Sequence, residues 1–510
     1  MKALDLAIIF GYLIGIVLFG TWFARKQKTT SDYFLGDRSV PWWAVAFSIV
    51  ATETSTITFI SVPGIAFARG GNFQFLQLVF GYLLGRVVIS LLFIPSYFRG
   101  ELLTVYQLLD RRFGGKIKML AASLFVVMRN IADGIRLLLT AIVLAAVYTS
   151  FQPAANAETI TVASVVLIGV AMIIFTYFGG MEAVIWVEVV QLGIYIAGAI
   201  AAAVILTSSI DGGFSAALAL GSQYHKFALF DFSFDLTKTF TFWAGLIGGC
   251  FLTMSTHGTD QYLVQRYLCT DRPRKASTAL LTSGAIVLAQ FIGFLFIGVL
   301  LFAFYHPFTD PAYASAGTAF PFNGGDRVFP DFITRHLPTG LSGLVVAAIF
   351  AAAMSSSLNS IAATTVNDLY RPFRQRLSDA HYLKVSHWLT LLWGVVQIGV
   401  ALLVRHKERS ALDQALSIAS LINGPVLGVF LVGVFLRRVS EPPALIGMLA
   451  SSVAMLYIRF ATNIAWTWYV FFGSIITLVV AWLASFAFED APASRRGELA
   501  PVEAVEDLSE

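Results

Sequence analysis

Charged side chains are scarce. Asp, Glu, Lys and Arg together make up 13% of the 510 residues, about half the ~25% typical of soluble domains. So low a fraction cannot clothe a water-facing surface, which argues against a soluble enzyme and against a nucleic-acid binder working through a basic face. Cysteine is nearly absent too. Cys250 lies in an apolar run and Cys269 in a connection, so neither a structural disulfide nor a thiolate metal cluster is expected. No metal-ligand cluster, nucleophile–base pair or phosphate-binding glycine loop stands out, and the chain reads as neither an enzyme nor a user of an organic cofactor. Long polar stretches are also few, and the short connections leave no room for a separate soluble domain.

What remains is apolar, 57% of the chain, arranged in thirteen runs long enough to cross a hydrocarbon core that needs ~20 residues. The first, near 4–23, follows a single Lys2 and ends in no small-residue cleavage site, so it reads as a span and not a removable leader. With the N-terminus outside, 21 Lys and Arg fall on the cytoplasmic side and 10 on the other, the asymmetry that orients membrane proteins. The expectation is an all-α integral membrane protein of thirteen transmembrane helices, multi-pass in the cell inner (plasma) membrane. Its N-terminus is outside and its C-terminus cytoplasmic, and it functions as a monomer in the lipid bilayer. Residues 1–30 form an extra first span with its connection, 31–440 the core, 441–488 two further spans, and 489–510 a disordered polar tail.

Two spans are poor helices. The run 42–66 contains Ala51-Thr52-Glu53-Thr54-Ser55-Thr56-Ile57-Thr58 and then Pro63-Gly64, a mixture that resists continuous winding. The run 240–264 is weakened at Gly245, Gly248 and Gly249. Interrupted spans five elements apart point to the central site of a transporter, the alternative being ordinary kinked helices. A third oddity is the polar tract Ala352–Ser360 inside 341–370. Ala352, Ser355 and Ser356 share one helical face, where hydroxyls either line a helix contact or, beside unwound carbonyls, suit a small hard cation.

Glu188 lies within a span, where a carboxylate costs about 2.5–3.5 kcal/mol on insertion scales. It is therefore expected to be paired with a neighbouring helix, protonated or bound to a cation. Arg129, Asp133 and Arg136 form a ladder at helical spacing. One carboxylate cannot neutralise two guanidiniums, so Arg136 is a candidate to hold an anionic solute bidentately, unless Glu53 or Glu188 neutralises it. Glu53 itself lies in the unwound stretch, facing a cavity. Trp243, early in the seventh span, is placed to stack over a bound solute. His257 reads as a lone imidazole that caps a helix or is solvated.

Several segments resemble signatures of the sodium:solute symporter family: Ser31-Asp32-Tyr33-Phe34-Leu35-Gly36, Phe178-Gly179-Gly180-Met181-Glu182-Ala183-Val184-Ile185-Trp186, Gly258-Thr259-Asp260-Gln261 with Val264-Gln265-Arg266-Tyr267-Leu268, and Asn423-Gly424-Pro425-Val426-Leu427-Gly428. The resemblance runs over roughly residues 1–440. It implies a five-plus-five inverted-repeat core whose first and sixth core helices are broken, with one extra span before it and two after. It also implies a sodium site made by the carbonyls of Ala51 and Thr54 with Ala352, Ser355 and Ser356. Counting back from Asp368 instead places Ala352 and Ala353 at the hydroxyl positions and moves both serines to a second, neighbouring sodium site. Glu188 stands where the family usually has Asp, and is carried over as a sodium ligand. Similarity to the sialic-acid-type branch carries substrate positions to Ser55, Thr58, Phe73 and Gln77. The function so implied is sodium-coupled import of a small polar solute, a small organic anion among the candidates. The alternatives are a membrane-embedded sensor on the same fold and a proton-coupled symporter using Glu188.

Overall fold

A computed structural model describes residues 3–23, 27–54, 56–100, 102–152, 154–305, 325–354, 357–406 and 421–491. Every regular element among them is helical, since a backbone in lipid must satisfy its polar groups within each span. The longer helices are α1 (Ala3–Phe23), α2 (Trp42–Glu53), α3 (Thr56–Phe67), α4 (Leu76–Leu92), α5 (Gly115–Phe151), α6 (Ala157–Ser209), α7 (Gly249–Gly258), α8 (Gln261–Leu268), α9 (Pro273–Tyr305), α10 (Leu341–Met354), α11 (Leu358–Thr364), α12 (Asp379–Val404), α13 (Asn423–Phe435), α14 (Glu441–Ala461) and α15 (Tyr469–Ala484). Among the described residues, six helices are long and apolar enough to cross a membrane. A short helix, Val328–His336, precedes α10.

The two runs 158–178 and 182–208 form a single helical element, α6, bent at Gly180. Gly180 has φ 59° and ψ −165°, a conformation open to glycine and costly for other residues. A Cβ there would also stand 2.8 Å from the Tyr33 carbonyl oxygen.

The interruption between α2 and α3 falls where the threonines predict it. Thr54 leaves helical geometry at φ −79°, ψ 64°. Its hydroxyl donates to the Val50 carbonyl at 2.7 Å, and the Thr58 hydroxyl to the Glu53 carbonyl at 3.1 Å. The Thr58 hydroxyl thus serves a carbonyl at the helix end, and the Thr54 hydroxyl adds a second donor to one its own N–H already reaches at 2.9 Å.

The second interruption differs from expectation. The chain does not break at Gly245, Gly248 and Gly249. It passes them in a wide π-turn, Ala244–Gly248, and continues as α7. The break comes at Thr259–Asp260, where Asp260 turns extended and its carboxylate accepts the Tyr262 N–H at 2.8 Å, capping α8. The glycines serve close approach instead. A Cβ on Gly245 would stand 2.5 Å from the Gln77 backbone, and one on Gly81 would stand 2.1 Å from the Gly245 carbonyl oxygen. Two backbones therefore touch where α4 crosses this turn.

α1 packs against α6 and α10. Its buried Asp5 accepts the N–H groups of Gly340 at 2.7 Å and Gly343 at 3.0 Å. A carboxylate at the positive end of α10 compensates both the helix dipole and its own burial. α13, α14 and α15 pack on one another. The segment expected to be disordered from residue 489 starts out tied down. Arg438 pairs with Asp490 at 3.1 Å and its carbonyl accepts the Ala491 N–H at 2.8 Å. The rest of that tail, from residue 492, lies outside the described residues.

Candidate polar site around the broken helix

Two polar clusters border the α2–α3 break and a third lies on α5, each joining elements distant in sequence. The first centres on Glu188 of α6, fully buried. Arg266 of α8 donates to its carboxylate from Nη2 at 2.5 Å and from Nε at 3.3 Å, Thr52 donates at 3.0 Å, and Ser48 donates as well. Arg266 also reaches Ser48 Oγ at 3.0 Å and the Tyr262 carbonyl at 2.5 Å. Of the three fates open to Glu188, the geometry shows a pair with a neighbouring helix. The sequence reading counted Arg266 among the cytoplasmic connections; it is wholly buried.

The second cluster joins Glu53 at the end of α2 to Arg86 of α4 and His257 of α7, both hydrogen-bonded to Glu53 Oε1. Thr256 Oγ1 lies 2.9 Å from His257 Nδ1. His257 is therefore no solvated cap, and Glu53 has its charge matched by Arg86 and not by Arg136.

The third cluster is the ladder on α5. Asp133 lies 3.6 Å from Arg129 and 3.5 Å from Arg136, and the Ser357 hydroxyl and N–H both point at Asp133. One expectation needs correction. The ladder does not retain a net positive charge, because Asp260 sits 3.6 Å from Arg129. The cap that Asp260 forms on α8 brings its carboxylate there, and the Arg129 guanidinium also stacks on the Tyr262 ring at 3.9 Å. Arg136 stays the accessible member, its side chain 45% exposed against 7% for Asp133 and 14% for Arg129.

The remaining candidates fall at two places. Ala51 and Thr54 are buried at the break itself, and the Thr54 hydroxyl also donates to Gln290 Oε1 of α9 at 3.0 Å. Phe73 and Gln77 lie together at the start of α4, Phe73 just before its first turn and Gln77 within it, both engaged by the segment 227–240. The Phe73 N–H donates to the Ala228 carbonyl at 3.1 Å. The Gln77 amide accepts from the Asp231 N–H at 3.0 Å and donates to the Phe240 carbonyl at 3.3 Å. Trp243 is 39% exposed and packs edge-on against Phe242 at 5.3 Å, away from these groups' hydrogen bonds. Ser55, Ser355 and Ser356 lie outside the described residues, as does the side chain of Ala352. The described members of the polar tract make packing bonds. Ser360 donates to Gln265 Oε1 at 2.6 Å, Gln265 donates to Asn359 Oδ1 at 2.6 Å, and Asn359 donates to the Tyr33 carbonyl at 3.3 Å.

Sequence reasoning missed Arg266, Asp260 and Gln290. All three were visible as polar residues in or beside apolar runs, which in lipid demand a partner, but their partners lie 78, 131 and 236 positions away in the chain. An apolar cleft between α6 and α9, lined by Tyr195, Ile200, Ile286, Gln290 and Phe294, lies behind Gln290. It offers a polar solute too few partners to be its site.

Known proteins resemble the chain along nearly its whole length. The profile of the sodium:solute symporter family matches residues 33–451. The sodium/sialic acid symporter NanT of Aliivibrio fischeri is 31% identical over 494 residues, covering 96% of this chain and 94% of that one. The human sodium-coupled monocarboxylate transporter 1 is 28% identical over 468 residues, covering 90% and 74%. Among solved structures, a sodium-coupled sialic acid symporter in a substrate-bound outward-open state superposes with a TM-score of 0.83 at 29% identity, covering 96% of this chain and 99% of that one. A nucleobase-cation-symport-1 family transporter shares the fold at a TM-score of 0.54 and 13% identity.

Proposed function

This chain belongs to the sodium:solute symporter family, a multi-pass membrane transporter coupling sodium to a small solute, and from that premise we propose that its solute is a small organic anion held by Arg136. The observation that carries the proposal is the α5 ladder. Arg129 is stacked and shared between two carboxylates, while Arg136 keeps one edge on Asp133 and leaves the rest of its guanidinium exposed. A guanidinium fixed at one edge and open at the other suits bidentate pairing with a carboxylate. Two of the relatives carry, by their names, sialic acid and monocarboxylates, both carboxylic acids.

The sodium site in this reading lies at the α2–α3 break, with the carbonyls of Ala51 and Thr54 facing Ala352, Ser355 and Ser356. A broken helix has two useful ends. The C-terminal end of α2 presents carbonyl oxygens and partial negative charge to a cation, and the N-terminal end of α3 presents N–H groups to an anion. Ser55 and Thr58, with Phe73 and Gln77 once the segment 227–240 releases them, complete the solute's surroundings. Trp243 covers them when the outer half closes. Glu53 positions this region through Arg86 and His257. Glu188, its charge matched by Arg266, supports the sodium site indirectly by holding Ser48 and Thr52 at the end of α2. That full set of donors supports sodium over a proton as the coupling ion, because a carboxylate already paired has no need of a proton.

The same reading keeps thirteen spans in a five-plus-five core with one span before and two after, the N-terminus outside, a plasma-membrane location and a monomeric unit. It is tested by uptake into proteoliposomes with an inward sodium gradient. A panel of labelled carboxylates, sugars and neutral amino acids is screened, and Arg136→Gln and Arg136→Lys are compared on whatever is transported. Sodium-driven uptake of a carboxylate, lost in the Gln variant and partly kept in the Lys variant, supports the assignment. Transport of neutral solutes alone, or equal KM in all three proteins, refutes it.

A further inference from the structure

Asp368 has no place in the sites above, yet its surroundings are incomplete in a specific way. It lies in the π-turn Thr365–Tyr370 that follows α11 and is fully buried. Oδ1 accepts the Thr104 hydroxyl at 2.9 Å. Oδ2 has no hydrogen-bond partner, and neither do Thr364 Oγ1 and Asn367 Oδ1 in the same turn of chain, all three atoms being buried. Among the described residues no Lys, Arg or His lies within ion-pair distance of Asp368. The charged and titratable groups facing it from its neighbours are Lys118 of α5, Asp110 of the Gln107–Arg112 helix and Tyr106. The Lys118 ammonium is taken by Asp110 at 2.5 Å. From α12, His381 bonds the Tyr370 hydroxyl at 3.0 Å, and Arg371 is stacked on Tyr382.

An ionised carboxylate with one donor and no paired cation, in a site closed to water, is opposed by several kcal/mol of desolvation. The Asp368 and Asn367 oxygens are acceptors left without a donor, and no unpartnered N–H lies in that turn to supply one. A single hydrogen on Asp368 Oδ2 removes the charge and turns one orphan acceptor into a donor. We propose that Asp368 is a proton-binding site, separate from the sodium site, whose carboxyl is neutral in this conformation. Neutrality lets α11 and its π-turn stay in dry contact with the Thr104 segment. Loss of the proton places a charge there that only hydration can satisfy, so proton release and separation of the two segments occur together. π-turns of this kind are frequent at functional positions.

The test is infrared spectroscopy on the whole purified protein in lipid, with Asp368→Asn, which copies the size and neutrality of the protonated acid. The wild type is expected to show, at neutral pH, the carbonyl stretch of an un-ionised carboxyl that moves on exchange into heavy water and is missing from D368N. In proteoliposomes held at equal pH inside and out, wild-type uptake should fall as pH rises past the group's midpoint, by up to about tenfold per pH unit for one proton. D368N should be flat over that range and keep wild-type sodium activation. Absence of the band from the wild type overturns the proposal, and so does a D368N variant that retains the wild-type pH profile. A drop in sodium ions moved per solute in D368N also overturns it, because the site's cation would then be sodium. If D368N does not assemble, the wild type alone decides: the band must be present at neutral pH and vanish reversibly when the sample is made alkaline.

Discussion

The Glu188–Arg266 pair offers the sharpest separation between a structural role and an ion-binding one. Both groups are fully buried, and they are joined by two hydrogen bonds in addition to those from Ser48 and Thr52. Glu188→Gln leaves the guanidinium with the Ser48 hydroxyl at 3.0 Å and the Tyr262 carbonyl at 2.5 Å as its remaining partners, neither of which is charged. Breaking a buried pair from one side costs about 3–5 kcal/mol, whereas removing both charges together is often close to neutral. Either single variant, Glu188→Gln or Arg266→Met, should therefore lose roughly that much stability, and the double variant should regain at least about half of it. The assay is thermal inactivation of the detergent-solubilised protein, read as half-life at fixed temperature because large membrane proteins rarely unfold reversibly. Half-saturating sodium for uptake is measured on the same four proteins. With the Glu188 oxygens occupied by Arg266, sodium activation should change little in any variant that survives reconstitution. If stability losses in the two single variants simply add in the double, the pair is not the structural unit described. A Glu188→Gln protein of wild-type stability that needs tenfold more sodium would make Glu188 a direct ligand.

Ser355→Ala and Ser356→Ala are each expected to raise the sodium concentration for half-maximal uptake, and wild-type sodium dependence in both would remove these serines from the site. If the solute carries one negative charge, one sodium makes transport electroneutral and two move one net charge, worth about 2.3 kcal/mol per 100 mV; comparing initial uptake at zero and inside-negative potential counts the ions. Lys226, in the segment between Ser209 and the π-turn at Ala244, donates to the carbonyls of Ala66, Phe67 and Ala68 at 2.9, 3.2 and 2.6 Å, closing the end of α3. Burial pushes its ammonium down to about 8. The unfolded chain, holding its lysine proton to about 10.4, then binds more protons above pH 8, so stability should rise from about pH 8 to about pH 10. Lys226→Met should lack that rise, and an identical slope in both proteins would show that Lys226 is not its source.

How much was legible in the sequence depends on the range of the interaction that decided each feature. The break after Glu53 could be read because its causes are local: β-branched hydroxyl residues that bond back to Val50 and Glu53; the Pro-Gly pair behind them, by contrast, sits inside the continuous helix α3. The second break was misplaced because glycine carries two meanings. At Gly245 and Gly249 it permits backbone contact with α4, which weakens nothing, while the true break depends on Asp260 acting as a cap. The charge clusters were half legible. Asp133 was found from helical spacing to Arg129 and Arg136, but Asp260, Arg266 and Arg86 reach their partners across separate helices, and no spacing rule reports that. Glu188 and Glu53 could be marked as needing partners, not assigned to them. The two serines most relevant to sodium, Ser355 and Ser356, lie outside the described residues, so for them the sequence and the family remain the guide.

The bend at Gly180 has a mechanical consequence. It joins the two halves of α6 with no intervening loop, so there is no slack between them to absorb a change of angle. The half of α6 beyond it, residues 181–209, is about 43 Å long at 1.5 Å rise per residue. A rotation of about 5° at that one joint carries the far end of this rod through roughly 4 Å. Glu188 rides two turns from the pivot and moves only by a small part of that distance. The bend thus acts as a lever with its load near the fulcrum: the Glu188 cluster stays nearly fixed while the far end of the helix is displaced by the diameter of an atom or more.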